Sequence, residues 1–201
     1  MKLYYAPGAC SMAPHIVLRE ANVAFDLVKA DIRAKKLEDG SSYLAINPKG
    51  AVPALQLEDG TVLTENAAIL QYVGDLAPES GLFPRLGDFR RYRVLEWLNY
   101  VATELHKGFG PLWNPSSADD VKEATRGLIG KKFDYVQEQL DDGPYLLGDT
   151  FTLPDAYLFV VLNWTRIHAI DLSRWPGLTA YQQRVAQRPR VAETLGAEGV
   201  G

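Results

Sequence analysis

The sequence predicts an α/β domain with a mixed sheet, followed by an all-helical domain. Two observations carry this. Over the first 79 residues, apolar runs of strand length alternate with helical periods in the order strand, helix, strand, hairpin, helix. After Pro78-Glu79-Ser80-Gly81-Leu82-Phe83-Pro84, a segment bracketed by prolines, strand-like runs disappear. The predicted domains are 1–79 and 87–201.

The opening stretch organises the rest. Leu3, Tyr4, Tyr5 and Ala6 form a short apolar strand that stops at Pro7-Gly8-Ala9-Cys10-Ser11. Ala13, Ile16, Val17 and Ala21 then recur at helical spacing, with His15, Arg19 and Glu20 on other faces. A strand feeding a helix through a Pro-Gly turn leaves the first backbone N–H groups, the positive end of the helix dipole, facing the turn. Cys10, the one cysteine, sits there. A thiol so placed has its anion stabilised, whereas a cysteine among apolar neighbours is a packing residue; the position favours the functional reading without closing the other.

Phe25 to Ala30 reads as a second strand, parallel to the first through a right-handed crossover. Lys35, Lys36 and Glu38-Asp39-Gly40 read as a solvated charged segment, anchored by Tyr43, Leu44 and Ile46 before the turn Asn47-Pro48-Lys49-Gly50. Ala51 to Leu57 and Val62-Leu63 flank Glu58-Asp59-Gly60-Thr61 as a β-hairpin. Pro53 has no N–H for the ladder, so pairing stops at Val52-Pro53 and a backbone edge is left open. A trans proline opening the strand is the favoured reading; a cis bond would turn the Val52 N–H and C=O towards an extended peptide. Thr64-Glu65-Asn66 precedes Ala67, Ile69, Leu70, Val73 and Leu76, a helical face. Ordinary capping explains Glu65. So does a site for both ends of an amino acid, with helix N–H groups for its carboxylate and Glu65 for its ammonium.

In the helical half, Leu95, Asn99, Ala102 and His106 fall on one α-helical stripe, which the turn-formers Gly108, Gly110 and Pro111 end or kink. Two polar residues on such a stripe face a polar cavity or are buried with hydrogen bonds. Ser117, Asp119 and Asp120 start a helix that continues through Val121, Leu128, Phe133, Val136 and Leu140 to a turn at Asp141-Asp142-Gly143-Pro144. Thr152-Leu153-Pro154-Asp155 has capping-box spacing and opens a run, Ala156 to Leu162, that is apolar on every side and belongs at the centre of its domain. Pro176 to Gln187 and Pro189 to Leu195 are terminal helices opened by proline.

With 201 residues, 47% of them hydrophobic, the chain can bury the core of one large or two small domains. A formal charge of -4 lacks the basic excess needed for sequence-independent nucleic-acid binding. One cysteine cannot make an internal disulfide, no apolar run reaches membrane-spanning length, and the N-terminus carries no charged-then-apolar signal; a cytoplasmic protein with no metal, membrane or nucleic-acid partner is expected.

The order βαβ, loop, Val-Pro, ββα, with a cysteine at the first strand's end, resembles the thioredoxin fold. Cys10 is followed by Ser11, Met12 and Ala13, so there is no Cys-x-x-Cys and a dithiol exchange within one chain is excluded. Along essentially its whole length the chain resembles the glutathione S-transferases, specifically the bacterial, cysteine-containing beta class. The matching pieces are Met1-Lys2-Leu3-Tyr4-Tyr5 with Pro7-Gly8-Ala9-Cys10-Ser11, Asn47-Pro48-Lys49-Gly50 with Val52-Pro53-Ala54-Leu55, Leu63-Thr64-Glu65, Trp97-Leu98-Asn99-Tyr100, Glu104-Leu105-His106-Lys107-Gly108, and Phe151-Thr152 with Asp155-Ala156-Tyr157. The resemblance implies a thioredoxin-like, glutathione-binding first domain and a helical second domain contributing to the substrate pocket. It implies glutathione contacts at Cys10, Lys35, Val52, Pro53, Glu65, Asn66 and Asn99, and over Thr103, Glu104, Leu105 and His106, with Cys10 and His106 catalytic. At Asn66 the family often has Ser, so the backbone N–H carries over more firmly than the side chain. A homodimer is also implied.

The residues agree with that implication. Glutathione offers an amino-acid end for Glu65, a peptide for the Val52 backbone, a thiol near Cys10, and a glycyl carboxylate for which Lys35 is the cation, with Lys107 second. The expected reaction is transfer of the glutathione sulfur to a small apolar electrophile, with glutathione-dependent reduction of peroxides or disulfides through Cys10 as a further reaction. The alternative is a non-catalytic glutathione or apolar-ligand-binding protein of the same fold. Phe109, Trp113, Tyr157 and Trp164 are candidates for lining the electrophile pocket, although aromatic residues at such positions are more often core.

Overall fold

The structure, a computed structural model, describes residues 1–140 and 143–200. It forms two units: Met1–Arg85 with Gln187–Gly201, and Leu86–Ala186. The turn predicted at Asp141-Asp142 lies outside the described residues.

In the first unit, β1 (Lys2–Tyr5) pairs in parallel with β2 (Asp26–Asp31), Leu3 opposite Leu27, and antiparallel with β4 (Ala54–Gln56), Leu3 opposite Leu55. β5 (Val62–Thr64) closes one edge against β4. The other edge is β3 (Lys36–Leu37), antiparallel to β2, giving the order β3-β2-β1-β4-β5. β3 falls inside the segment expected to be only solvated surface. A two-residue strand among charges has no alternation to reveal it, and Asp31 shapes its entry by accepting the N–H groups of Arg33 and Ala34, both at 2.8 Å.

The period-two pattern is buried on both faces. Leu3 and Leu55 are wholly inaccessible, while Tyr4 and Ala54, one position along, pack with Tyr43, Ala30 and Val52. Helices α1 (Met12–Glu20) and α2 (Asn66–Leu76) pack against each other, and the last helix, α8 (Pro189–Glu198), packs on α1. The chain's final segment, expected within 87–201, therefore clusters with the first unit. His15 explains part of that difference. Expected away from the apolar face of α1, it is completely buried, with Nδ1 2.8 Å from the Glu198 carboxylate of α8 and Nε2 accepting from Arg19 Nε at 2.9 Å. A guanidinium can only donate, so in this arrangement the ring proton sits on Nδ1 and is given to Glu198.

The second unit comprises α3 (Arg90–Tyr100), a short α4 (Gly110–Trp113), α5 (Asp119–Gln139), α6 (Leu153–Ile167) and α7 (Pro176–Ala186). α6 is its centre: Leu153 to Leu162 are all buried. Its capping box is formed as the sequence predicts. Asp155 accepts from Thr152 N and Oγ1 at 2.8 Å each, and also from Leu146 N at 2.9 Å and Tyr181 Oη at 3.0 Å. On α5, Phe133 and Val136 are buried, but Val121 and Leu128 of the predicted apolar series stand exposed.

Candidate functional site

The turn after β1 is closed by its own backbone. Ala9 N donates to Ala6 O, Met12 N to Ala9 O at 3.0 Å and Ala13 N to Cys10 O at 3.1 Å. The Ser11 hydroxyl is turned back onto Ala6, taking its N–H at 3.1 Å. The expectation of open helix N–H groups facing Cys10 is corrected accordingly: those of Met12 and Ala13 are taken by carbonyls, and Pro14 has none. Gly8 has φ +68, which lets the chain turn there, and its N–H donates to Glu198 at 3.0 Å.

What Cys10 meets is a carbonyl. Its Sγ lies 3.2 Å from Val52 O, a contact that only the protonated thiol makes as donor. Val52-Pro53 is cis, where the trans form was the favoured reading. The approach to it is fixed by two donors on one acceptor: Tyr43 Oη and Asn47 Nδ2 reach Ala51 O at 2.8 and 2.7 Å. Burial pushes the Tyr43 hydroxyl up to about 12, so it remains a donor through the physiological range. Lys35, with φ +58, donates from Nζ to Gly50 O at 2.7 Å, and its stem lies across Gly50, where a Cβ would stand 3.1 Å from the Lys35 Cε.

α2 completes this surface. Asn66, its first residue, donates from Nδ2 to Cys10 O at 3.1 Å, so the side chain that sequence left in question braces the cysteine backbone. Its Oδ1 is buried with no partner among the described residues. Glu65 is held at φ +72, ψ 122, and its side chain makes no cap to the helix. The carboxylate is directed outward, 71% exposed, and is paired with the Lys49 ammonium. The ordinary capping reading of Glu65 therefore does not describe it. Cys10 is thus linked to Val52 through its thiol and to Asn66 through its carbonyl, with Glu65 next to Asn66 in the chain and Lys35 bonded to Gly50, three residues before Pro53.

In the second unit the helical stripe divides. Residues Val101–His106 form a π-helical segment, followed by a 3-10 turn at Lys107–Phe109. Its wider turn carries His106 off the line set by Asn99. Asn99, Thr103 and Glu104 line a cleft of about 300 Å³ with Glu96, Trp97, Tyr100 and Tyr135. Glu104 is paired there with Lys132 at 2.9 Å. His106 is not among these residues: Nδ1 is 2.6 Å from Tyr157 Oη and the ring stands edge-on to Trp164, centroids 4.9 Å apart. Leu105 is buried. Burial, with a smaller contribution from Lys107, pulls His106 down to about 4, so it is neutral at neutral pH.

Of the aromatic candidates, Phe109, Tyr157 and Trp164 are buried and Trp113 is 47% exposed; Trp113 and Phe109 both touch Trp164 and His168. Sequence reasoning named Tyr43 as an anchor and Asn47 as a turn former but missed their bonds to Ala51 O, and it missed His15 and Glu198 as supports. The Arg19 partner of His15 lies four residues on and was visible in principle; Glu198, 183 residues away, was not. Among the described residues no group of three or more His, Cys, Asp or Glu is placed to hold a metal ion, and no helix is long and apolar enough to cross a membrane.

Comparison with known proteins supplies two family matches. Residues 8–76 match the glutathione S-transferase N-terminal domain and residues 100–189 the glutathione S-transferase C-terminal domain. The chain is 48% identical to the glutathione S-transferase GstA of Escherichia coli O157:H7, over 100% of both chains. Among solved structures it is similar to a sphingomonad glutathione S-transferase complexed with glutathione, at 43% identity and TM-score 0.96, with 100% of both chains covered. A bacterial beta class glutathione S-transferase from Sphingomonas chungbukensis is similar at 45% identity and TM-score 0.96, again over 100% of both.

Proposed function

The chain belongs to the glutathione S-transferase family, bacterial beta class, and from that premise we propose that it joins the glutathione thiol to small apolar electrophiles as a cytoplasmic homodimer. The observation that carries the reading is the surface around Cys10. Val52 offers backbone to the tripeptide, Glu65 an exposed carboxylate to its ammonium, and Lys35 an ammonium to its glycyl carboxylate. Asn66 supplies the N–H of a helix start to the glutamyl carboxylate. Asn99, Thr103, Glu104, Leu105 and His106 are assigned to the second unit's share of the same function.

In conjugation the glutathione sulfur loses its proton to solvent or a base, forms a bond to the electrophilic carbon, and the leaving group departs with its electron pair. His106 is neutral near pH 7 and tied to Tyr157, so it acts as a hydrogen-bonding group rather than as a titrating base. The presence of Cys10, Val52-Pro53, Glu65 and His106 together in one chain favours an enzyme over a pure ligand carrier. Leu86, Phe89 and Tyr92, large apolar side chains exposed on the second unit, support self-association. Retention on immobilised glutathione, followed by turnover of an activated aryl halide, tests the reading: binding without turnover would favour the carrier.

A second reaction is favoured by the Cys10 thiol. One thiol beside another is suited to exchange: Cys10 attacks a glutathione-containing disulfide, forms a mixed disulfide and releases a thiol, and a second glutathione restores Cys10 while leaving as glutathione disulfide. Cys10→Ala is expected to abolish this exchange and to retain measurable conjugation, which rates of both reactions in one preparation will check.

A further inference from the structure

The carboxylate of Glu65 already has a cation. Lys49 Nζ is paired with it and also donates to Thr64 Oγ1 at 2.8 Å, so a single ammonium bridges a hydroxyl and a carboxylate at the start of α2. That is the arrangement an amino-acid ammonium would take. The Lys49 backbone is pinned, its N–H donating to Asn47 Oδ1 at 3.1 Å, but its side chain is 53% exposed and can swing into solvent without disturbing the turn. Glu65, at φ +72, carries its side chain outward from the start of α2, where the carboxylate is 71% exposed and accessible to either ammonium.

We propose that Lys49 is an internal competitor for the ammonium subsite, occupying Glu65 and Thr64 in the empty protein and yielding to the α-ammonium of the γ-glutamyl end of glutathione. The proposal rests on the reading of Glu65 as the ammonium's partner. Binding is then an exchange of one ammonium for another, and the fraction of molecules with Lys49 in place lowers the apparent affinity. Lys49 thereby sets how much glutathione is needed to fill the site. The sign of the effect is diagnostic. Glutathione carries a net negative charge at neutral pH, so a lysine acting only through general attraction would strengthen binding; as a competitor it weakens it.

Calorimetric titration with glutathione, and with the same tripeptide lacking its α-amino group, tests this in the full-length protein. Lys49→Met is expected to bind glutathione roughly two- to fivefold more tightly, the range of an exposed ion pair. Lys49→Arg keeps a cation and should stay near the native value. The deaminated tripeptide, which has no ammonium to exchange, should show no gain from Lys49→Met. Unchanged or weaker glutathione binding by Lys49→Met, or an equal gain for both ligands, overturns the proposal. Glu65→Gln separates the two levels: loss of glutathione affinity there with no gain in Lys49→Met leaves the Glu65 reading standing and removes only the competitor. Native affinity in Glu65→Gln removes both.

Discussion

The two units hold their candidate residues by different means. In the first, many of the working atoms are main chain: Val52 O receives the Cys10 thiol, Cys10 O receives Asn66, Gly50 O receives Lys35, and Gly8 N is gripped by Glu198. In the second, the ties at His106 and Asp155 depend on a side chain of the residue itself, although Glu104 O receives Lys132 and Asn99 O receives Thr103. His106 meets the Tyr157 hydroxyl, and Asp155 gathers the start of α6 and Tyr181. A main-chain atom survives substitution of its own residue, whereas a side-chain partner does not. Truncations in the second unit should therefore cost mainly stability, and those around Cys10 mainly chemistry, unless the residue removed is a buried side chain that serves the backbone.

Asp155→Ala is the severest test of the second unit. It strands the buried donors Leu146 N and Thr152 N together, while Tyr181 Oη keeps the main-chain carbonyl of residue 155 at 3.1 Å, so a loss of about 3 kcal/mol is expected in denaturant melts, beyond the ~1 kcal/mol of a simple cap. A midpoint shift of cap size only would mean that water or a shift of the chain re-satisfies these groups.

Glu198→Ala is the exception that sharpens the contrast, because it lies in the first unit yet leaves the His15 Nδ1 proton buried without its acceptor and takes the carboxylate from the part-buried Gly8 N–H. A loss of about 2 kcal/mol is expected, together with a changed rate of Cys10 alkylation. Arg188→Ala removes another tie between α8 and α1, the ion pair to Glu20 at 2.7 Å, without touching the turn. It should cost about 1 kcal/mol or less and leave alkylation of Cys10 unchanged. Equal effects on alkylation from both variants would show that α8 acts only as a general support.

These contrasts follow what could be read in the sequence. The capping box was legible because Thr152 and Asp155 lie three residues apart, β1 and α6 because their apolar runs are unbroken, and the β4–β5 hairpin because such runs flank an Asp-Gly turn. The tie from Gly8 to Glu198 spans 190 residues and leaves no local trace. Residues 101–106 mix strong helix formers (Ala102, Glu104, Leu105) with weaker ones, and nothing in their spacing announces a π-helical turn, so Asn99 and His106 were placed on one α-helical stripe that the π-helical segment interrupts. The cis bond at Val52-Pro53 could only be weighed as a minority form. Around Cys10, residue types pointed correctly to a thiol, a carboxylate and a cation, while the closure of the first helical turn by Ala9 O and Cys10 O depends on backbone geometry that residue types do not encode.

A smaller effect concerns pH. Burial holds His106 at about 4 in the folded chain against an unfolded value near 6.5, so between those values the unfolded chain binds more protons. The stabilising contribution of neutral His106 is complete above pH 6.5 and is lost as the pH falls towards 4. His106→Asn should flatten the dependence of melting temperature on pH across that window. Conjugation by the native protein should show no inflection assignable to His106 between pH 6.5 and 8, and one that vanished in His106→Asn would return it to the role of a titrating base.

The placing of glutathione's sulfur at Cys10 is tested most directly by intact-mass spectrometry after incubation with glutathione disulfide. Attack by the Cys10 thiol should leave one glutathione on each chain, released by excess reductant and absent from Cys10→Ala. A native chain that stays unmodified, under conditions where a small alkylating agent still labels Cys10, would contradict it.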